Sequence, residues 1–133
     1  MSLNIYQENI LDHYQNPRNF GKLKNPDLKA HDSNPLCGDT FDFEIKTSKD
    51  KQGNIIIKDV RFNGHGCAIS TASASMLTEK IIGKKIDDVL QIDKKDILEM
   101  LNVELSHVRI KCAMLPLKVL KLALYKNKEI KNK

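Results

Sequence analysis

Residues 41–46 read FDFEIK, a strict alternation of apolar and charged side chains. Successive side chains of a β-strand point to opposite faces of the sheet, so this alternation predicts a strand with one buried face. The glycine and asparagine of SKDKQGN, residues 48–54, predict a hairpin turn. Residues 55–62 are rich in β-branched side chains and predict the returning strand, with a phase slip near Asp59. An antiparallel hairpin therefore lies at the centre of the predicted fold.

The segments on either side of this hairpin predict helices and one further strand. Before it, residues 3–15 carry apolar side chains at helical spacing, and residues 28–31 form a short predicted strand. After it, the sequence predicts a helix rich in small residues, two short helical turns and a final helix with Pro116 near its start. These four elements cover residues 68–83, 86–92, 94–102 and 112–125. The predicted fold class is α+β, a three-stranded antiparallel sheet covered by helices.

The chain has 133 residues, enough for one domain that buries about two thirds of the surface its unfolded form exposes. We assign residues 1–126 to this domain and residues 127–133 to a lysine-rich tail. The first residues, MSLNIYQENI, lack the basic and apolar regions of a secretory signal, and no apolar run reaches the roughly 18 residues of a membrane span. We therefore predict a cytoplasmic protein with no membrane partner.

The formal net charge of +5 does not by itself indicate a nucleic-acid partner. Much of the excess lies in the lysine-rich C-terminal stretch, where lysines interact favourably with the dipole of a helix C-terminus. Arginines are scarce, and no aromatic-rich basic motif is present. We predict no binding of nucleic acid, and docking of an acidic protein stays open.

The three cysteines each stand at the end of a predicted element. Cys37 lies in the loop that enters a strand, Cys67 follows GHG at a strand–helix junction, and Cys112 starts the final helix. A helix N-terminus lowers the pKa of a thiol and favours the thiolate, the form that binds metal and performs sulfur chemistry. An odd number of thiols in a reducing compartment does not indicate disulfides.

Asp39, two residues after Cys37, is the fourth candidate ligand. Three thiolates and one carboxylate suit a zinc ion and equally the four terminal positions of a [2Fe–2S] cluster. A permanent structural zinc site usually contains a C-x-x-C pair, which this sequence lacks. A carboxylate is more exchangeable than a fourth cysteine, so the ligand set indicates a labile site. Gly38, Gly64 and Gly66 leave room for backbone N–H groups near a ligand.

Three segments carry a family resemblance: NPLCGD, GHGCAISTASASML and RIKCAML, at residues 34–39, 64–77 and 109–115. They resemble the signature segments of the U-type iron–sulfur cluster assembly proteins, the family that contains IscU, SufU and the N-terminal domain of NifU. The resemblance implies an α+β scaffold that binds iron or a [2Fe–2S] cluster through Cys37, Asp39, Cys67 and Cys112. It also implies that a pyridoxal-phosphate cysteine desulfurase supplies persulfide sulfur and that apo iron–sulfur proteins receive the cluster.

The sequence departs from the pattern of each subfamily. Lys111 stands before Cys112, where IscU-like proteins carry a histidine, and this is similar to SufU. The stretch of residues 68–111 is too short for the additional segment that SufU-like proteins usually carry. The LPPVK chaperone-recognition segment of IscU-like proteins is also absent before Cys112. The chain resembles SufU-like members most, without their usual insertion.

Three functional classes stay open from the sequence. The first is a non-enzymatic scaffold that assembles and transfers a cluster. The second is a zinc-dependent sulfurtransferase, in which Zn²⁺ organises the thiolates and Cys112, a partly exposed thiol beside Lys111, accepts the persulfide sulfur. The third is a structural zinc module. His65 is expected to contact the site without binding metal, and Arg109 and Lys111 are expected to offset its negative charge.

Overall fold

The computed structural model describes the backbone of residues 2–35 and 38–131, and the side chains of residues 8–35 and 38–126. Its elements in chain order are α1 (Ser2–Gln15), β1 (Leu28–Asn34), β2 (Asp39–Lys49), β3 (Ile55–His65), α2 (Ala68–Ile81), α3 (Ile86–Val89), α4 (Lys94–Leu101) and α5 (His107–Lys131). The strands form one antiparallel sheet in the order β1-β2-β3, which confirms the predicted α+β class. Within the described ranges, no helix has the length and apolar composition that crossing a bilayer requires.

The central strand β2 shows the alternation that the sequence predicted. Its apolar side chains are fully buried: Phe41, Phe43 and Ile45. The pairing with β3 is irregular at one point, because Lys46 lies opposite Asp59 whereas Thr47 lies opposite Ile57. Lys58 is therefore the extra residue of a β-bulge, one position from the predicted phase slip.

One end of the sheet gathers the residues of the predicted site. β1 runs to Asn34, three residues beyond the predicted strand, and pairs there with Asp39, the first residue of β2. On the other side of β2, His65 at the end of β3 lies opposite Thr40. The chain then enters α2 through Cys67, so Asp39 and Cys67 lie at the same end of the sheet.

Helices α2 and α5 pack against each other and against the sheet. The middle of α2 presents small buried side chains: Ser70, Thr71, Ala72, Ser73, Ala74 and Ser75. Small side chains allow close approach of a neighbouring element. α5 packs on β1 and β2, α2 contacts β3, and α1 packs on α2. The start of α2 and the early turns of α5 thereby converge near Asp39.

Helix α5 is longer than predicted at both ends, spanning His107–Lys131 and not residues 112–125. Cys112 therefore lies in the second turn, and Pro116 lies in the helix interior. The predicted start of this helix was wrong. Proline is favoured in a first helical turn, so Pro116 suggested that the helix begins just before it. In the structure, exposed residues before Cys112 already form helix. Pro116 has no N–H to donate to the Cys112 carbonyl, which weakens the ladder there. The proposed division after residue 126 falls inside α5 and stays a prediction.

His13 attaches α1 to α2 from a buried position. Its Nδ1 lies 2.7 Å from Oγ of Ser75, which also accepts a 2.8 Å hydrogen bond from the backbone N–H of Arg18. The single hydroxyl proton of Ser75 is thus available to Nδ1 of a neutral imidazole. Burial and the positive charge of Arg18 lower the pKa of His13, and the charges of Glu79 and Asp12 raise it by less. The folded protein therefore favours the neutral imidazole.

We expect His13 to make the metal-free protein less stable as the pH falls from about 7 to about 5. The ordinary histidine pKa is 6.5, and that of folded His13 is lower, so the unfolded chain takes up the proton first and the free energy of unfolding decreases. His13→Gln, which does not titrate, should flatten this part of the profile. Urea unfolding at several pH values in the presence of EDTA measures this. Equal pH slopes for the parent and His13→Gln would contradict it.

Candidate metal centre

Three of the four predicted ligands meet at one end of the sheet. The carboxylate of Asp39 and the thiols of Cys67 and Cys112 offer ligand atoms that all lie within 4.8 Å of one another. Asp39 begins β2, Cys67 caps α2, and Cys112 lies in the second turn of α5, so three distant parts of the chain supply them. Cys37 lies outside the described residues, and its membership of the site stays a prediction.

The two carboxylate oxygens of Asp39 have different surroundings. The residue is 1% exposed, and Oδ1 accepts a 3.0 Å hydrogen bond from the backbone N–H of Cys67. Oδ2 is buried and has no hydrogen-bond partner within the described part of the chain. An unsatisfied buried acceptor costs on the order of 1–3 kcal/mol, and more when it is charged, a cost that a bound cation would remove. Thiolates together with a carboxylate suit zinc or iron, so the donor set fits a metal ion.

Cys67 has the position that the sequence predicted, the N-cap of α2. Its Sγ accepts a 3.5 Å hydrogen bond from the backbone N–H of Ser70. Burial raises the pKa of this thiol, but hydrogen bonds from the backbone and the side chain of Ser70 lower it, and the net shift is downward. The thiolate that metal binding requires is therefore favoured at Cys67.

Cys112 differs from the prediction in its surroundings. A partly exposed thiol at a helix N-terminus was expected, whereas the residue is 1% exposed inside α5. It is buried because α5 begins at His107 and because its second turn packs against α2, where Ser73 bonds the backbone of Ala113. The helix-dipole argument therefore applies to Cys67 and not to Cys112.

Arg109 lies beside both described thiols. It is exposed and stands about one helical turn before Cys112. The charge of Cys67, a hydrogen bond with Cys67 and the charge of Cys112 together raise the pKa of the Arg109 guanidinium. These contacts support the predicted charge compensation by Arg109. Lys111 is exposed and lines a groove beside the site, and His65 is exposed and lies outside the group of described ligand atoms.

The two glycines that flank His65 have separate structural roles. Gly64 has a φ of +121°, and a Cβ there would lie 2.1 Å from the carbonyl oxygen of Thr40, so a side chain is excluded by backbone. At Gly66 a Cβ would lie 2.3 Å from Oγ of Ser70 and 2.8 Å from Oδ1 of Asp39. The first glycine allows the strands to pair, and the second leaves the space that the carboxylate occupies.

A groove of about 660 Å³ opens beside the site, between the end of β1 and α5. Three lysines line it, of which Lys118 forms an ion pair with Asp32 at 3.0 Å, and the described lining residues include no acidic side chain. The lining consists of Ser33, Asn34, Pro35, Lys111, Met114, Leu115, Leu117, Lys118, Lys121, Leu122 and Tyr125. Sequence reasoning missed this groove because its two sides are distant in the chain; the signal was the series of lysines along the last helix.

Comparison with known proteins finds a matching family model and several similar sequences. A family model described as the NifU-like N terminal domain matches residues 5–133. The chain is 41% identical over 119 residues to the iron–sulfur cluster assembly scaffold protein IscU of Aquifex aeolicus, covering 90% of this chain and 73% of that one. It is 39% identical over 133 residues to the zinc-dependent sulfurtransferase SufU of Bacillus subtilis, covering 87% and 86% respectively.

A solved structure from Fervidobacterium islandicum has the same fold. It is described as an iron–sulfur cluster assembly scaffold protein for the SUF system. The two chains superpose with a TM-score of 0.71 at 31% identity, covering 93% of this chain and 99% of that one. This similarity covers the sheet and the helices that position the site.

We expect Gly66→Ala to weaken metal binding while the fold persists. The added Cβ must displace the carboxylate of Asp39 or the hydroxyl of Ser70, and both are side-chain groups that can move. Loss of contacts that orient ligands costs roughly 10–100-fold in metal affinity. Competition for Zn²⁺ with a chromophoric chelator measures the change, and circular dichroism checks the fold.

Two further variants test whether the contact with the Asp39 carboxylate causes the expected loss of metal affinity. Gly66→Ala combined with Ser70→Ala relieves only the contact with Ser70, so the affinity should stay below that of Ser70→Ala alone. Gly64→Ala meets an immovable carbonyl and should instead lower the thermal stability of the metal-free protein. Zn²⁺ affinity equal to that of the parent in Gly66→Ala would contradict the assigned role.

Proposed function

The chain belongs to the NifU-like N-terminal domain family, and we propose from that premise that it is an iron–sulfur cluster assembly scaffold. In this role it accepts sulfur from a cysteine desulfurase, combines it with iron and passes the cluster to apo-proteins. The proposed ligands of the iron or [2Fe–2S] cargo are Cys37, Asp39, Cys67 and Cys112. The reducing cytoplasm, which keeps such thiols available, is the proposed compartment.

The observation that carries this proposal is the meeting of the buried Asp39 carboxylate with the thiols of Cys67 and Cys112, since Oδ2 of that carboxylate has no hydrogen-bond partner within the described residues. Groups that are anionic when they bind metal repel one another at such separations unless a cation lies between them. A permanent structural zinc site would be expected to use a thiol or an imidazole in place of the carboxylate. The mixed donor set therefore supports a site that binds metal and also releases it.

Different residues of the chain favour the binding of metal and its release. The helix N-cap and Ser70 favour the thiolate at Cys67, and Arg109 adds positive charge beside the thiols. The backbone N–H of Cys67 holds Oδ1 of Asp39, which keeps the carboxylate directed to the site. Because a carboxylate is a harder and more exchangeable ligand than a thiolate, we assign to Asp39 the position that opens on release.

Sulfur transfer requires one thiolate of the chain to attack the outer sulfur of the desulfurase persulfide. The S–S bond of that persulfide breaks, the desulfurase thiolate leaves with the electron pair, and a new persulfide forms on this chain. We propose Cys112 as the acceptor. Because Cys112 is buried, the first two turns of α5 must move away from α2 before attack. Pro116, which donates no hydrogen bond to the Cys112 carbonyl, weakens the helix where these turns join the rest.

A zinc-dependent sulfurtransferase is the second candidate function. The chain is about as similar to the Bacillus subtilis protein of that name as to an IscU, and Lys111 precedes Cys112 as in SufU-like proteins. The same site serves both functions. In the second, Zn²⁺ stays on the protein and only sulfur passes onward.

The lysine-lined groove supports docking of a partner protein next to the site. Lys111 adjoins Cys112 in the chain and also lines the groove. A desulfurase or an apo-protein with an acidic, partly apolar surface segment is the partner that this lining fits, because charge and apolar area are both complementary. Binding there would place the partner beside the second turn of α5.

We expect the anaerobic protein to assemble a transferable cluster. Incubation with Fe²⁺, cysteine, a cysteine desulfurase and dithiothreitol as reductant should give the visible absorption of a [2Fe–2S] cluster, and an apo-ferredoxin should then acquire it. Cys67→Ser and Cys112→Ser should fail, because a hydroxyl is a poor substitute for a thiolate. Val108→Ala, an exposed neighbour on α5, is the control and should behave as the parent does. Stoichiometric zinc, stimulation of the desulfurase and no transferable cluster would favour the second function.

We expect the desulfurase to deliver its first sulfur to Cys112. Without desulfurase, alkylation of the metal-free protein should modify the half-buried Cys67 before the buried Cys112. With desulfurase and cysteine, mass spectrometry of peptides should find the added sulfur on Cys112, and Cys112→Ser should fold normally but no longer stimulate the desulfurase. Persulfide found first on Cys37 or Cys67, with full stimulation by Cys112→Ser, would transfer the acceptor role to that residue.

A further inference from the structure

The distance between the sulfur atoms of Cys67 and Cys112 depends on how α2 packs against α5, because the two residues belong to different helices. Ser73 contacts α5 at the level of the site. It is fully buried, and its Oγ donates a 2.8 Å hydrogen bond to the carbonyl oxygen of Ala113. Ala113 directly follows Cys112. A buried hydrogen bond therefore joins the two helices one residue away from a proposed ligand.

The direction of this hydroxyl distinguishes Ser73 from Ser70 and Thr78 on the same helix. Hydroxyl groups inside helices commonly bond a carbonyl of the preceding turn. Ser70 does so at 3.2 Å to the carbonyl of Cys67, and Thr78 does so at 2.6 Å to that of Ser75. The Ser73 hydroxyl instead bonds a carbonyl 40 positions away in the sequence. The Ser73 hydroxyl therefore does not serve a carbonyl group of its own helix.

The bond meets α5 at a point where the hydrogen bonding of the helix itself is weakened. Pro116 has no N–H for the carbonyl of Cys112, four positions before it, and its ring crowds that carbonyl. The carbonyl of Ala113 is the next one along the helix. The Ser73 hydroxyl of α2 therefore fixes a turn of α5 that the backbone hydrogen bonds of α5 hold less firmly.

We propose that Ser73 is a positioning residue for the metal site. Its hydroxyl holds the second turn of α5 on α2 and thereby sets the separation of the Cys67 and Cys112 thiols. It acts only through the backbone of Ala113. The inference rests on the proposed metal site but depends neither on which metal is bound nor on sulfur transfer.

The chain supplies a matched control in Ser75. This serine lies on the same helix and is as fully buried as Ser73. Its hydroxyl contacts the N-terminal part of the chain, the ring of His13 and the backbone of Arg18, and not α5. Ser75→Ala therefore removes a comparable buried hydroxyl away from the thiols.

Anaerobic titration with Co²⁺ tests the positioning role. The thiolate-to-metal and ligand-field bands of Co²⁺ report the number and geometry of the ligands, and competition with Zn²⁺ gives the affinity. Ser73→Ala should lose roughly tenfold or more in affinity and show altered ligand-field bands, as expected when an outer contact of a ligand is removed. Ser75→Ala should keep the spectrum and affinity of the parent. Both variants should lower the melting temperature of the metal-free protein by similar amounts, because each loses buried hydrogen bonding.

Equal Co²⁺ spectra and Zn²⁺ affinities for Ser73→Ala and Ser75→Ala would overturn the positioning role. A parent protein that binds no Co²⁺ would overturn the metal site and this role together, so the parent titration separates the two failures. If metal-free Ser73→Ala is partly unfolded, the titrations are repeated in trimethylamine N-oxide, which favours the folded state without replacing the missing donor. The Co²⁺ spectra and Zn²⁺ affinities of Ser73→Ala and Ser75→Ala are then compared by the same criterion.

Discussion

The hydrogen bond from the backbone N–H of Cys67 to Oδ1 of Asp39 ties the start of β2 to the start of α2. This bond lies at the end of the sheet where the chain changes from strand to helix. It involves only one oxygen of a buried carboxylate. The other oxygen, Oδ2, has no hydrogen-bond partner within the described residues, and the carboxylate lies in one group with the thiols of Cys67 and Cys112. Gly66 is required because any side chain there would occupy the space of this carboxylate. The ligand geometry thus depends on a contact that also fixes the fold.

Helix α2 links this site to both ends of the chain. Its buried positions are mostly small, and two of its buried serines form hydrogen bonds to neighbouring elements. Ser73 bonds α5, and Ser75 bonds the loop after α1 and the ring of His13. A polar contact between closely packed backbones depends more steeply on position than apolar burial does. Such contacts suit a helix whose N-cap residue, Cys67, is a proposed ligand.

The parts of the molecule that sequence reasoning predicted are those with local signals. The alternation of residues 41–46 predicted the central strand. The three signature segments predicted one site of Cys37, Asp39, Cys67 and Cys112, and the structure brings the last three of these together. The start of α5 was not predictable in this way, because Pro116 is compatible with a first turn and with an interior position stabilised by tertiary contacts. The inter-helix bond of Ser73 was also missed, since the direction of a hydroxyl is decided by what packs against it.

The lysine-lined groove has a consequence for the kinetics of encounter. Lys118 is paired with Asp32 at 3.0 Å, whereas Lys111 is exposed, and the charge of an exposed lysine acts across about 8 Å at physiological ionic strength. Such charges mainly raise the rate at which an acidic surface arrives, whereas burial of an apolar lining mainly slows its departure. The proposed function, which requires a sulfur donor and then a recipient, would benefit from this separation. Added salt would slow each arrival and leave the lifetime of each complex largely unchanged.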